Sequence, residues 1–484
     1  MLYLIIILGF LLRITNIQKP EGLWNDEYVS WFVASTPFNS GFWNEILKQC
    51  HMPFYYLYLK PFVGFDDVIL RLTSVIPGVL VIPVMYYIGK LYSKKVAYFS
   101  AVITSVLPFL IYYSQEVRFY SVLFLFSALS LLFTLRYIKD SSKVNLVGYI
   151  ISNLLVLFTH VLGGIYLFFN LLYLFYKKKK MSKIIVYSLL VSIPFVVVFG
   201  INILKMLPSS QWWGHFSYTN ILFLFSDFFS PILTNNVNAP NIFFYNKNFA
   251  FWMLVPTIIA LIGVFKGIKK TIVLNIICLG TIIVMSLLAK FNIVVFITKY
   301  LIEILPILIL TISIGFDEAK KIGTICFGTF IFIQLVSLLF PFYVTKLQLL
   351  EGHRTVAEVL KAHNAESIVF TYYEPNRFER YINLNGKKTY HISKSNRFEY
   401  IDEPQKILSE IKINDTVSVV FLDSVSFFDD ATINANKDNP NIPEMFLTFS
   451  QVKNKLIDEL NNNYADYKFN KIGSWSVISA KRIK

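Results

Sequence analysis

Residues 96–138 read VAYFSAVITSVLPFLIYYSQEVRFYSVLFLFSALSLLFTLRYI and contain two apolar runs, 96–113 and 119–138, around a short charged turn. An apolar run of about 20 residues is long enough to cross the hydrocarbon core of a bilayer as a helix. The turn, Tyr113–Tyr120, has room for little more than a reversal of the chain. This stretch therefore predicts a membrane-embedded helical hairpin that carries Gln115, Glu116 and Arg118 at its tip.

Apolar runs of similar length recur through the first 342 residues. The chain is 55% hydrophobic and only 15% charged, and a soluble protein with this composition would lack the polar surface to cover its apolar side chains. We predict about eleven membrane-spanning helices, near residues 2–18, 69–89, 96–113, 119–138, 144–159, 160–176, 184–204, 250–266, 271–289, 300–316 and 322–342. The sequence thus indicates an α-helical, multi-pass membrane protein.

The segment Pro53–Gly64 decides the predicted orientation. Its dozen or so apolar residues are interrupted by Lys60 and Pro61, which favours a helix lying at the membrane surface over a span. The short loops that then share one side contain sixteen basic residues, and the positive-inside rule places that side in the cytoplasm. We expect a plasma (inner) membrane protein with a cytoplasmic N-terminus and an extracytoplasmic C-terminus. The net charge of +15 reflects these loops and does not indicate nucleic-acid binding.

Residues 343–484 differ in composition from the rest of the chain. Hydropathy falls and charge rises beyond Phe342. Thr355–His363 and Val452–Asn461 have helical spacing. Ser367–Tyr372 and Val417–Leu422 have the pattern of buried strands. The predicted organisation is a catalytic membrane domain, 1–342, with an outer loop at 19–68, followed by a small extracytoplasmic α/β domain, 343–484.

The outer loop carries an acidic pair, Asp26-Glu27. Carboxylates close to hydrocarbon are costly to hold and usually have a function. A general base or a metal ligand facing the membrane surface is the functional interpretation. The structural alternative is that Asp26 caps an interfacial helix, Tyr28–Ser35, and a capping acid can still present one oxygen to a cleft.

Basic residues predicted on the outer side point to an anionic ligand. Arg118 beside Glu116 offers a guanidinium that can bind phosphate through two parallel hydrogen bonds, unless the two form a local ion pair. Lys290 and Lys299 are predicted on the outer side, where the positive-inside rule makes basic residues uncommon. They could hold a lipid-linked phosphate, and snorkelling of their side chains is the alternative. The weaker candidates near this face are Arg13, Arg71, His51, His160 and His215.

In order, these motifs resemble those of the GT-C membrane glycosyltransferases of the protein-mannosyltransferase and aminoarabinose-transferase type. The resemblance rests on Asp26-Glu27, His51-Met52-Pro53, Tyr113–Tyr120 and Lys299-Tyr300 before Pro306, and it is strongest over residues 1–175. Met52 stands where the family usually has proline, and Lys299 stands where many relatives have arginine.

The resemblance implies a GT-C fold and transfer of a sugar from a polyprenyl-phosphate donor at the outer face, with inversion. Asp26 would be the base, and Glu27 and Glu116 would shape the acceptor site or hold a divalent metal ion. The leaving phosphate would be stabilised by Arg118, Lys290 and Lys299. The implied substrate-binding set is His51, Tyr55, Gln115, Arg118, Tyr120, Lys290, Lys299 and Tyr300. The acceptor would be a glycan, a lipid or a protein.

Two other classes of function are alternatives to an enzyme. A transporter or flippase of lipid-linked sugars would place ionisable groups near the bilayer midplane, on broken helices in related halves. Here the charges gather at one face and no halves repeat, so an enzyme is the preferred hypothesis. In a non-enzymatic scaffold, the C-terminal domain would bind the partner. The sequence contains no P-loop, Gly-rich dinucleotide turn or zinc-type ligand spacing, so a nucleotide site is unsupported.

Overall fold

The computed structural model divides into two compact units. It describes residues 1–19, 22–49, 52–179, 186, 193–194, 197–198, 200–201, 218–230, 247–291, 293–294, 296–338, 352–370, 378, 380–391, 404–422, 456–472 and 475–484. The helical unit comprises Met1–Ile17 with Val29–Tyr343, and the sheet unit comprises Gln18–Tyr28 with Val344–Lys484. The structure therefore groups the first part of the predicted outer loop with the C-terminal domain and not with the membrane helices.

The described part of the chain before residue 343 is helical. Its α-helices are α1 Leu2–Ile14, α2 Asn25–Ser35, α3 Ser40–Lys48, α4 Phe54–Leu59, α5 Asp67–Lys90, α6 Lys94–Val106, α7 Pro108–Ser114, α8 Tyr120–Lys139, α9 Lys143–Thr159, α10 Gly163–Lys178, α11 Tyr218–Phe229, α12 Lys247–Lys290, α13 Leu305–Glu318 and α14 Lys320–Leu338. Short 3-10 segments, Lys60–Phe62 and Thr298–Ile304, follow α4 and precede α13.

Membrane-spanning length is found in several of these helices. Among the described residues, five helices are long and apolar enough to cross a bilayer, and α6 with α7 forms a sixth candidate bent by 54°. Helices α1 and α9 are apolar but shorter. The multi-pass helical prediction is therefore confirmed in its coarse form. The count of eleven stays a prediction, and most of the predicted span at 184–204 lies outside the described residues.

Helix α12 differs from the prediction. Two spans, 250–266 and 271–289, were expected on either side of a basic loop, but the structure has one continuous helix of 44 residues. Lysine is a good helix former, and Gly267 packs against the Thr311 backbone of α13. At 1.5 Å per residue the helix is about 66 Å long, roughly twice the thickness of a hydrocarbon core. The helix therefore continues through Lys266–Lys270, where a turn was predicted.

Glycine at position 267 should be needed for this contact. An alanine Cβ would overlap the Thr311 carbonyl group, so we expect Gly267→Ala to destabilise the helical unit by about 1–3 kcal/mol, measured as a lower Tm in detergent. Gly328→Ala in α14 is the matched control, because nothing lies within 4 Å of the added methyl group. Equal Tm values for the two variants would contradict the packing argument.

The predicted basic clusters meet at one end of the helical unit. Two contacts join neighbouring loops: Lys139 Nζ donates to the Leu91 carbonyl (3.1 Å), and Lys178 Nζ donates to Ser141 Oγ (2.5 Å). Three more reach the end of α13: Lys95 and Ser93 contact Asp317 (3.6 and 2.9 Å), and Lys270 pairs with Glu318 (2.6 Å). A shared basic end is what the positive-inside rule requires of a cytoplasmic face. The orientation itself stays a prediction.

The segment Pro53–Gly64 forms two very short elements, α4 and the following 3-10 turn. A helix of six residues rises only about 9 Å, which is far too short to span a bilayer. Lys60 Nζ donates to the carbonyls of Ala34 (3.0 Å) and Thr36 (2.6 Å), so it closes the C-terminal end of α2. The non-spanning interpretation of this segment agrees with the structure, and Lys60 acts as a helix cap.

The sheet unit contains one five-stranded mixed sheet. Its strands are β1 Ser367–Phe370, β2 Lys388–His391, β3 Thr416–Leu422, β4 Tyr464–Ile472 and β5 Trp475–Arg482. The strand order is β2-β1-β3-β5-β4, with β2, β1 and β3 parallel and β5 antiparallel to both neighbours. Helices α15 His353–His363 and α16 Pro404–Glu410 accompany the sheet. The predicted small α/β domain is present.

Sequence periodicity located only part of this domain. The predicted helix Thr355–His363 corresponds to α15. The predicted strands Ser367–Tyr372 and Val417–Leu422 correspond to β1 and β3. The predicted helix Val452–Asn461 is seen at 456–463, since its first residues lie outside the described part of the chain. The hairpin β4–β5 and the short strand β2 were not predicted. Strand β4, Tyr464–Ile472, contains Asp466, Lys468 and Lys471, and such polarity hides the alternating pattern of a strand.

Candidate active site

The turn between α7 and α8 is buried inside the helical unit. Glu116 and Arg118 are 1% and 4% exposed, although the sequence suggested an exposed tip. Helix α5 holds the turn in place, because Ser74 Oγ donates to the Arg118 carbonyl (3.2 Å) and Ser121 Oγ donates to the Ser74 carbonyl (2.8 Å). The charged residues of this turn therefore lie in an enclosed environment, where electrostatic interactions are stronger than in water.

The Arg118 guanidinium lies among hydroxyl and aromatic groups. Its Nη1 donates to Ser30 Oγ of α2 (3.2 Å). Its Cζ lies 5.5 Å from the Phe119 ring centroid and 6.0 Å from that of Tyr120. Because arginine stays charged at any physiological pH, the turn holds a permanent positive charge at this buried position.

Tyr120 links Arg118 to a second cation from a distant segment. Lys299 Nζ lies 5.4 Å from the Tyr120 ring centroid and 5.8 Å from the Tyr300 ring centroid. Lys299 is 9% exposed, so its ammonium group is also largely enclosed. Both cations thus share the ring of Tyr120, and the fold brings together four residues of the predicted substrate-binding set. Two enclosed cations can bind an anion such as a phosphate.

Glu116 belongs to the same neighbourhood. Its carbonyl accepts a hydrogen bond from the Arg118 N–H (2.7 Å). The Tyr113 ring lies 4.8 Å from the Tyr120 ring, centroid to centroid. Glu116 therefore lies close to the cations and tyrosines of this cluster.

Two residues of this cluster were underrated or missed from the sequence. His160 was a weak candidate, yet its ring stacks at 4.7 Å on Phe119 and at 5.5 Å on Tyr300. Asp227 was not singled out, although its Oδ2 accepts a hydrogen bond from Thr298 Oγ1 (2.6 Å), next to Lys299. The sequence signal for Asp227 is that it is the lone acid in the run Ile221–Phe229, which has the spacing of an amphipathic helix.

The acidic pair lies in the sheet unit, at the start of α2. The helix begins at Asn25 and not at Tyr28, so Asp26 is its second residue. The acid that reaches back to the backbone is Glu27, whose Oε2 accepts from the Trp24 N–H (3.2 Å) as in a capping box. The predicted capping role of Asp26 therefore passes to Glu27, which is fully buried, while Asp26 is half-buried.

The other residues predicted for the site differ in their contacts and in their exposure. Gln115 Nε2 donates to the carbonyls of Arg13 (3.0 Å) and Thr15 (2.7 Å), which ties the turn to the end of α1. The Tyr55 hydroxyl lies 3.5 Å from Ser74 Oγ. Lys290 is exposed at the end of α12, and its place in the site stays a prediction. His51 and His215 lie outside the described residues.

Arg13 has a structural role. Its guanidinium donates to Ser114 Oγ (3.2 Å) and to the carbonyls of Gly9, Ser105 and Thr104 (2.9, 2.9 and 3.0 Å). These four hydrogen bonds use most of its five N–H donors. Arg13 therefore joins α1 to α6 and α7, and its hydrogen bonds serve helix packing more than phosphate binding.

A metal ion has no ready-made binding site in the described part of the chain. No group of three or more His, Cys, Asp or Glu side chains there lies close enough to hold one. Of the predicted ligands, Asp26 and Glu27 belong to the sheet unit and Glu116 belongs to the helical unit. Their joint role as metal ligands stays a prediction.

Comparison with known proteins finds a family match over part of the chain and a similar fold over nearly all of it. Residues 52–201 match the family model described as dolichyl-phosphate-mannose-protein mannosyltransferase. No curated protein matches the sequence. The structure is similar to that of ArnT from Cupriavidus metallidurans in the apo state, with a TM-score of 0.59 and 10% identity over 99% of this chain and 97% of that one.

Two further solved structures are similar. ArnT from the same organism bound to undecaprenyl phosphate has a TM-score of 0.50 and 11% identity, again over 99% and 97% of the two chains. The Archaeoglobus fulgidus oligosaccharyltransferase in complex with Zn and sulfate has a TM-score of 0.47 and 11% identity over 97% of this chain and 72% of that chain, which is too distant to support an argument. At these identities the likeness concerns the fold. The family match over residues 52–201 and the likeness in fold to ArnT agree with the GT-C resemblance that the order of motifs in the sequence indicated.

Proposed function

We propose that the chain transfers a sugar from a polyprenyl-phosphate-linked donor to an acceptor hydroxyl at the outer face of the plasma membrane. The observation that carries this proposal is the sharing of the Tyr120 ring by two enclosed cations, Arg118 and Lys299. A lipid-linked donor presents its phosphate at membrane depth, where these cations can bind it. The similar ArnT structure with bound undecaprenyl phosphate supports this choice of donor.

The leaving group is the polyprenyl phosphate. The bond between the anomeric carbon and the phosphate oxygen breaks, and its electron pair stays on the phosphate. Arg118 and Lys299 stabilise the charge that develops there, and enclosure from water makes each interaction stronger. Lys290 joins them at the outer end of α12. Tyr55, Gln115, Tyr120, Tyr300 and His51 complete the substrate-binding set.

The acceptor is activated from the opposite side of the sugar. Its hydroxyl oxygen attacks the anomeric carbon as its proton passes to the carboxylate of Asp26, which inverts the anomeric configuration. Asp26 lies in the first turn of α2. Glu27 and Glu116 shape the acceptor site, which takes a glycan, a lipid or a protein.

The proposal is tested with the purified full-length chain in lipid nanodiscs. A polyprenyl-phosphate donor carrying a labelled sugar is incubated with cell-envelope extract, and products are separated from donor. Labelled product with inverted anomeric configuration is the expected result, and mass spectrometry of the envelope with and without the chain names the sugar and the acceptor. A parallel assay in sealed proteoliposomes tests the alternative: movement of intact donor across the bilayer without product would indicate a transporter.

A further inference from the structure

Tyr381 of the sheet unit contacts the residues that immediately precede the acidic pair. Its hydroxyl accepts a hydrogen bond from the Leu23 N–H (2.8 Å), and Leu23 is 1% exposed. Gly22 has φ +88°, a conformation that favours glycine, and a Cβ at this position would lie 2.6 Å from the Tyr381 hydroxyl oxygen. The chain therefore passes close over Tyr381 just before α2 begins.

Tyr381 is itself held firmly. Its N–H donates to the Phe378 carbonyl (2.8 Å), and its ring packs against the buried cluster that contains Val356 and Phe370. The guanidinium of Arg354 lies 5.2 Å from the ring centroid, and that of Arg380 lies 5.8 Å from it. Core packing and two cation–π contacts therefore hold the Tyr381 side chain in place.

The contact between Tyr381 and Leu23 lies directly before the first turn of α2. Trp24 follows Leu23, its N–H is bound by Glu27, and its carbonyl accepts the first helical hydrogen bond, from Tyr28 N–H (2.8 Å). The helix therefore begins at Asn25, two residues after the Tyr381 contact at Leu23. Asp26 lies within this turn, so its position depends on where Leu23 is held.

We propose that Tyr381 is a positioning residue that holds the acidic start of α2 for proton transfer from the acceptor. This inference rests on the proposed function, because it assigns Asp26 the role of base. A displacement of about 1 Å in a reacting group can cost about a hundredfold in rate. The C-terminal domain thereby contributes to catalysis through α2.

The test is Tyr381→Phe in the full-length chain, which removes the hydroxyl group and keeps the ring. We expect kcat to fall by about tenfold or more, while the KM for the lipid-linked donor changes by less than about threefold, because the cations that bind phosphate are untouched. Hydrogen exchange should become faster in the peptide that covers residues 18–28. Tyr467→Phe is the matched control: its hydroxyl donates to backbone carbonyls in the same unit, at Leu460 and Tyr464, so kcat and exchange at 18–28 should not change.

The outcomes separate this inference from the proposed function. Wild-type kcat and exchange in Tyr381→Phe, with Asp26→Asn inactive, would overturn the positioning role and leave the proposed function standing. Faster exchange throughout the sheet unit would also overturn it, since Tyr381 would then only stabilise the domain. Full activity in Asp26→Asn would instead remove the proposed function itself.

Discussion

Replacing Asp26 by asparagine should lower the rate of sugar transfer by about a thousandfold or more while the protein still inserts and folds. The change replaces a carboxylate with an amide of nearly the same size that cannot act as a base. General-base catalysis typically contributes 10²–10⁴-fold. Glu27, not Asp26, accepts the Trp24 N–H in the structure, so α2 should keep its N-terminal hydrogen bond. The measurement is single-turnover transfer from a labelled donor, together with Tm in detergent.

Asp66→Asn provides the control for this variant. Asp66 lies in the same predicted outer loop, and its Oδ1 caps α5 by accepting from the Ile69 N–H (2.9 Å). Asparagine is as good an N-cap as aspartate, so both transfer and Tm should stay at the wild-type level. If Asp26→Asn transferred sugar as fast as Asp66→Asn, another residue would have to be the base.

Replacing Arg118 by glutamine should lower kcat by about 100- to 1,000-fold, as expected when a group that stabilises transition-state charge is removed. Arg118→Lys should fall between glutamine and the wild type, because it keeps the charge and loses the planar fork. Free polyprenyl phosphate, tested as an inhibitor, should also bind more weakly to both variants. The inhibition constant reports on phosphate binding independently of the chemical step.

Arg136→Gln is the matched change at the opposite end of α8. Arg136 lies among the basic residues of the predicted cytoplasmic face, so its removal should leave kcat and inhibition unchanged. An Arg118→Gln variant with normal inhibition but low kcat would mean that Arg118 does not bind the phosphate. The proposal would then depend on Lys299 alone.

The helical architecture and the grouping of the cations were largely predictable. Apolar length, helix-forming composition and the positions of basic loops are properties of neighbouring residues, and the coarse multi-pass fold follows from them. The order of motifs predicted that Arg118, Tyr120, Lys299 and Tyr300 belong together, and the structure does bring these residues together. Their roles in binding substrate stay predictions.

Burial and hydrogen-bond partners were not predictable in the same way. Arg13 looked like a candidate phosphate ligand, but its donors are taken up by carbonyls some 90 residues away in the chain. Asp227 looked like part of an amphipathic helix, yet it accepts a hydrogen bond from Thr298. Hydropathy carries no information about such partners, because they come from segments that meet only after the helices pack.

The difference between what the sequence predicted and what it did not has one physical cause. Whether a segment enters the membrane, forms a helix or exposes its lysines depends on its own composition, so the sequence predicts a multi-pass helical protein with acids and bases at the ends of its helices. Whether a given acid caps a helix or faces a substrate depends on contacts at long range. The hydrogen bond from Leu23 to Tyr381 spans 358 residues, and only the folded chain could reveal that the C-terminal domain supports the start of α2.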